Sequence, residues 1–261
     1  MDRIPRSTQA LFATGLIGVG LVGLWFGNFA GIAQEIPAWV PAHAAIVYAS
    51  AVLLILGGIG LFVDRAAAGA ARLIFCLVGL WVALLLLPIA LRAPLVLGSW
   101  SNMAEIVVLL AGAWVLFATL AGSAARPSGS FPAGPSGVRY AQLLFGVALP
   151  PLGLAHIVYL NLTAPLVPAW LPYHTFWAYS TGVAQIVAGL AVLLSIRARL
   201  AATLEAAMLS AFTVLVWIPL LVAKPSAPFL WSEITISWAI SAAAFVVAAS
   251  VPRSHAAAEH A

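Results

Sequence analysis

The chain has 261 residues, of which 64% are hydrophobic and 7% charged. Soluble domains carry about 25% charged residues, so 11 basic and 7 acidic side chains cannot clothe a water-facing surface. A soluble globular enzyme, a disordered protein and a small disulfide scaffold are thereby excluded. The net charge is +4, but the basic residues stand singly between apolar runs. That pattern speaks for membrane-loop charges and for no nucleic-acid partner.

Eight apolar stretches follow one another: Thr8–Ala30, Ala44–Val63, Ala70–Leu91, Asn102–Ala121, Tyr140–Leu160, Thr175–Leu194, Leu200–Val222 and Glu233–Val251. Each is close to the roughly 20 residues that cross a bilayer. In hydrocarbon a segment must satisfy its own backbone polar groups, so these runs are read as helices. The expected fold is all-α: a polytopic membrane protein with eight transmembrane helices and the lipid bilayer as its first partner. Arg3 and Arg6 precede the first run, but that run is longer than a signal-peptide core, so it is expected to stay in place. The one cysteine, Cys76, lies in the third run, and no CxxC pair exists for a dithiol cycle.

Arg3, Arg6, Arg65, Arg72, Arg126, Arg139, Arg197, Arg199 and Arg253 fall on one side of such an arrangement. Only Arg92 and Lys224 fall on the other. The positive-inside rule then puts both termini in the cytoplasm.

The two halves repeat at an offset of 131. Ile36–His43 (IPAWVPAH) lies on Val167–His174 (VPAWLPYH), and Tyr48 falls on Tyr179. Pro88 meets Pro219, Pro94 meets Pro225, and Trp100 meets Trp231. Composition accounts for matched Leu and Ala but not for PAWxPxH twice in register. Four spans per unit is even, so the expected architecture is two parallel four-helix repeats about an axis along the membrane normal. The units are residues 1–123 and 139–261. Residues 124–138, rich in Pro, Gly and Ser, read as a cytoplasmic linker.

The stretch GLAHIVYLNLTAPLVPAWLPYHTFWAYSTGVAQIVAGLAVLL (Gly153–Leu194), with Arg199–Leu209 after it, resembles the DoxX family of bacterial membrane proteins. The first half is a weaker copy, so the whole chain is similar to a tandem pair of DoxX-like units. The resemblance implies a four-helix membrane bundle per unit and a bacterial inner (plasma) membrane. It also implies a membrane subunit or accessory of a redox process, with a redox partner protein and a quinone or other lipophilic small molecule as ligand. Many similar proteins carry an acidic residue where this chain has Gln185; the first half has Leu54 there.

Rare polar groups inside a bilayer are costly and mark candidate sites. His43 and His174 each begin a helix, where a neutral ring is favoured and can contact a quinone, a metal or haem, or simply cap the helix. By symmetry the two could converge on one ligand. His156 falls opposite Trp25 in the repeat, with Tyr159 three residues on and Gln185 in the next span, a cluster able to bond a quinone carbonyl. Tyr179 completes the candidate ligand-binding set. Trp39 and Trp170 read as interfacial anchors on the outer side. Glu205 is expected to meet Arg197 or Arg199 snorkelling to it, and Glu105 and Glu233 to pair with Arg92 and Lys224. Pro88 and Pro219 are expected to kink their helices. No catalytic residue or resident metal is assigned. A small-molecule transporter and a ligand-free scaffold are the alternative functions.

Overall fold

A computed structural model describes residues 4–27, 42–122 and 131–252. Arg3, Gln34, Glu35, Trp39, Arg126 and Arg253 lie outside the described residues, as does the linker up to residue 130. The described chain is all-α and polytopic, with eight helices long and apolar enough to cross a membrane. They are α1 (Arg6–Phe26), α2 (His43–Phe62), α3 (Ala67–Arg92), α4 (Leu97–Gly122), α5 (Gly134–Val158), α6 (His174–Leu193), α7 (Ala198–Ala223) and α8 (Pro228–Ser250). The helix α5 starts earlier than the sequence suggests. Residues 134–138, assigned to the linker, form its first turn, because Pro135 sits where a missing N–H costs nothing.

The outer surface carries the membrane reading. Leu56, Leu84, Val187 and Leu204 are all exposed, on four different helices. In water such a surface would aggregate; against acyl chains it is the required one.

Consecutive helices pack side by side, and α1 also packs along α8. In the same way α4 packs along α5, and α4 touches α8 at the centre. The molecule is therefore a ring of eight pinched at the waist by α4 and α8. Each first helix lies against the last helix of the other repeat. One lobe holds α1, α2 and α3, the other α5, α6 and α7. Gly15 faces Ala239 and Gly18 faces Thr235, so α1 and α8 are antiparallel. Gln142, near the start of α5, donates to the Ser250 carbonyl at the end of α8 (3.2 Å). Both repeats therefore start on one face, here the terminal face, and the opposite face is the distal one.

The repeat extends to matched contacts. The Trp100 indole donates to the Pro94 carbonyl (3.0 Å) and the Trp231 indole to the Pro225 carbonyl (2.9 Å). A π-helical turn at Val82–Leu86 precedes Pro88, and another at Thr213–Trp217 precedes Pro219. Proline lacks an N–H and crowds the preceding turn; here that turn widens, in both repeats at the same place.

For the first helices, however, the register is 133. Gly20 packs on Ala51 and Ile55, and Gly153 packs on Gly182 and Ile186. Arg6 bridges Asp64 (2.9 Å), while Arg139 donates to Ser195 (3.0 Å). Phe12 and Phe145, equivalent under this register, are both fully buried. His156 therefore corresponds to Gly23, not to Trp25.

Candidate functional site

The interiors of the two lobes differ in chemistry. Between α6 and α7 in the second lobe, Gln185 and Glu205 are 2% and 1% exposed. The Gln185 amide Nε2 donates to Glu205 Oε1 at 3.3 Å. Gln185 Oε1 and Glu205 Oε2, both buried, have no hydrogen-bond partner. The corresponding residues of the first lobe are Leu54 and Ile74, equally buried and wholly apolar. Arg197 and Arg199 do not bond Glu205 among the described contacts; its partner comes from the neighbouring helix. A residue's depth can be read along one helix, but its azimuth depends on packing.

Further toward the distal face, His156 of α5 lies beside Thr181 of α6, Nδ1 to Oγ1 at 3.3 Å. The Thr181 hydroxyl donates to the Trp177 carbonyl at 2.9 Å. Thr181 is then the acceptor and His156 Nδ1–H the donor. That tautomer, assigned from the network, leaves a bare lone pair on Nε2. The imidazole stacks on Phe212 of α7, with ring centroids 5.6 Å apart. Gln185 is one turn beyond Thr181 on α6. The three helices α5, α6 and α7 thus carry a polar series from His156 through Thr181 to Gln185 and Glu205.

A second hydroxyl group sits where α7 meets α8. Thr213, in the π turn, lies 2.7 Å from the Ser237 hydroxyl. Beside it Leu11, Ser210, Thr213, Trp238 and Ser241 help line a cavity of about 60 Å³. The first repeat has Val82 and Ile106 at the positions of Thr213 and Ser237. None of these hydroxyls stood out in the sequence, because Ser and Thr are ordinary in membrane helices and satisfy themselves on the preceding turn.

The expected His–Tyr–Gln cluster does not form as a unit. The Tyr159 hydroxyl accepts from the Gly98 N–H (2.9 Å), joining the distal ends of α5 and α4. His43 and His174 do not converge: they begin α2 and α6, which lie in opposite lobes because the fourth helices occupy the centre. Each follows a left-handed residue, Ala42 (φ 55°) and Tyr173 (φ 60°), so the turn is conserved between repeats while the rings stay apart. Tyr179 is exposed on the outside of α6, and Trp170 is exposed on the distal face. Glu105 of α4 and Glu233 of α8 both lie in the distal halves of their spans, toward that face. Lys224 makes no ion pair among the described residues. Among these residues no three His, Cys, Asp or Glu side chains are grouped for a metal ion.

A protein-family model described as a domain of unknown function (DUF8561) matches residues 145–226. That segment runs from the middle of α5 to just past α7, the three helices that carry the polar series. No curated protein and no solved structure matches the chain.

Proposed function

We propose that this is a multi-pass protein of a bacterial inner membrane, with cytoplasmic termini, acting as a membrane subunit or accessory of a redox process. Its second lobe binds a quinone or similar lipophilic molecule near the outer face, and a partner protein supplies the redox centre. The observation that carries the reading is the His156–Thr181 contact at 3.3 Å; with the Thr181 hydroxyl donating to the Trp177 carbonyl, Nδ1–H is the donor and Nε2 can accept a hydrogen bond. A quinol hydroxyl is a donor of that kind. Phe212, stacked on the imidazole, makes the surroundings of His156 aromatic. The resemblance of Gly153–Leu194 to DoxX-like units supports the same class of role, and the arginine distribution supports the orientation.

The test is extraction of quinone from protein purified in mild detergent, followed by titration with a short-chain ubiquinol analogue read by tryptophan fluorescence. Saturable binding, weakened about tenfold (~1.4 kcal/mol) by His156→Ala, is the expected result. A sample with no extractable quinone and no saturable binding overturns the proposal.

Small-molecule transport is the second reading. The matched π turns favour it, since interrupted helices accompany substrate sites in transporters. Uptake into proteoliposomes, abolished by His156→Ala, would replace the redox reading.

A further inference from the structure

We propose that Glu205 and Gln185 form a proton-binding site inside the second lobe, one proton lying between Glu205 Oε2 and Gln185 Oε1. The argument begins with two acceptors that face no donor. Gln185 Oε1 and Glu205 Oε2 are buried and unpartnered, while the other two polar atoms of the pair bond each other at 3.3 Å. A buried acceptor without a donor is costly, and a buried carboxylate more so. One proton on Glu205 removes both faults. The acid O–H donates to the amide oxygen, the amide N–H donates to the acid carbonyl, and the ring closes with no net charge.

Among the described residues no cationic side chain bonds Glu205. On α6 the facing group is the uncharged Gln185. The only ionisable residue of α8, also packed on α7, is Glu233, nearer the distal end. On α7 itself Arg199 lies near the helix start, at the terminal face. The first lobe shows that the fold does not require a polar pair here, because Leu54 and Ile74 fill the same places. The pair therefore serves the lobe that carries His156 and not the architecture. Proton binding takes one proton from water, and release returns it; no other bond changes. The inference does not depend on the ligand proposed for His156.

Infrared difference spectroscopy tests it, on the full chain in lipid nanodiscs near neutral pH. Subtracting Glu205→Gln from wild type should reveal the carbonyl stretch of one protonated carboxylic acid per chain. The double variant Gln185→Leu/Glu205→Ile, which copies the first lobe, should lose the same band, and supplies the comparison if Glu205→Gln does not fold. Loss of a carboxylate band in place of the acid band overturns the proposal. So does a sodium- or potassium-dependent rise in the wild-type melting temperature that Glu205→Gln abolishes, because a metal cation would then be the occupant.

Discussion

Gly112 of α4 faces Ala243 of α8, its own counterpart in the repeat, across the centre of the molecule. A Cβ added to Gly112 would lie 2.7 Å from the Ala243 Cβ and 2.8 Å from its Cα. The pseudo-twofold axis passes between these two positions, 131 residues apart. The close approach is possible because one of the pair has no side chain and the other only a methyl. Flanking residues Ala242 and Ala244 are also small and buried.

The first prediction follows from that contact. Gly112→Ala forces α4 and α8 apart and should destabilise the protein by about 1–3 kcal/mol, the usual range for overpacking. Ala243→Gly in the same chain should restore most of the loss. Thermal unfolding of the two single variants and the double variant forms a cycle that measures the coupling. Additive effects would show that the two positions do not touch.

A second prediction concerns the terminal face, where the repeats diverge in charge but not in geometry. Arg6 bridges Asp64 and Arg139 bonds Ser195 at the matching place. The Arg6 and Asp64 side chains are 85% and 78% exposed, so water screens the pair. Asp64→Ser, which imports the second repeat's solution, should change stability by less than about 1 kcal/mol. A larger loss in a melting assay would mean that the bridge holds α1 and α2 together.

Much of this architecture is legible in the sequence, and the exceptions have physical causes. Hydropathy gives eight spans, and the paired prolines and tryptophans give the repeat, because both signals are local. The first helices are an exception. Arg6, Gln9 and Phe12 correspond to Arg139, Gln142 and Phe145, but only after a two-residue shift that an ungapped comparison misses. That shift moves the partner of His156 from Trp25 to Gly23. Equivalent histidines suggest a shared site only if their helices are near the axis, and α2 and α6 are not. His156 and Gln185 were visible as rare polar residues. Their partners Thr181 and Glu205 depend on which faces of α5, α6 and α7 meet, which no single helix specifies.

The orientation supplies a third prediction. In a Cys76→Ala background, Ser195→Cys lies in the α6–α7 turn on the terminal face, and Ser226→Cys in the α7–α8 turn on the distal face. Both positions are exposed. In intact cells a membrane-impermeant maleimide should label position 226 and spare 195. The reverse pattern would invert the protein and place His156 near the cytoplasm, contrary to the arginine bias.

The last prediction separates stability from function in the two lobes. Gln185→Leu alone leaves the Glu205 carboxyl buried with no partner, and should cost about 1–3 kcal/mol. Adding Glu205→Ile removes the stranded acid and recreates the Leu54–Ile74 pair of the first lobe. Replacing a buried polar pair by well-packed apolar residues is commonly neutral or stabilising. The double variant should therefore melt at or above the wild-type temperature. If it also loses any proton-linked or ligand-linked activity, the polar pair is retained for that activity and at some expense in stability. The converse transplant, Leu54→Gln with Ile74→Glu, should fold poorly unless both are introduced together, since either alone buries an unpaired polar group. A double variant in the second lobe that melts well below wild type would show instead that Gln185 and Glu205 hold α6 against α7, and the distinction between a structural and a functional lobe would fail.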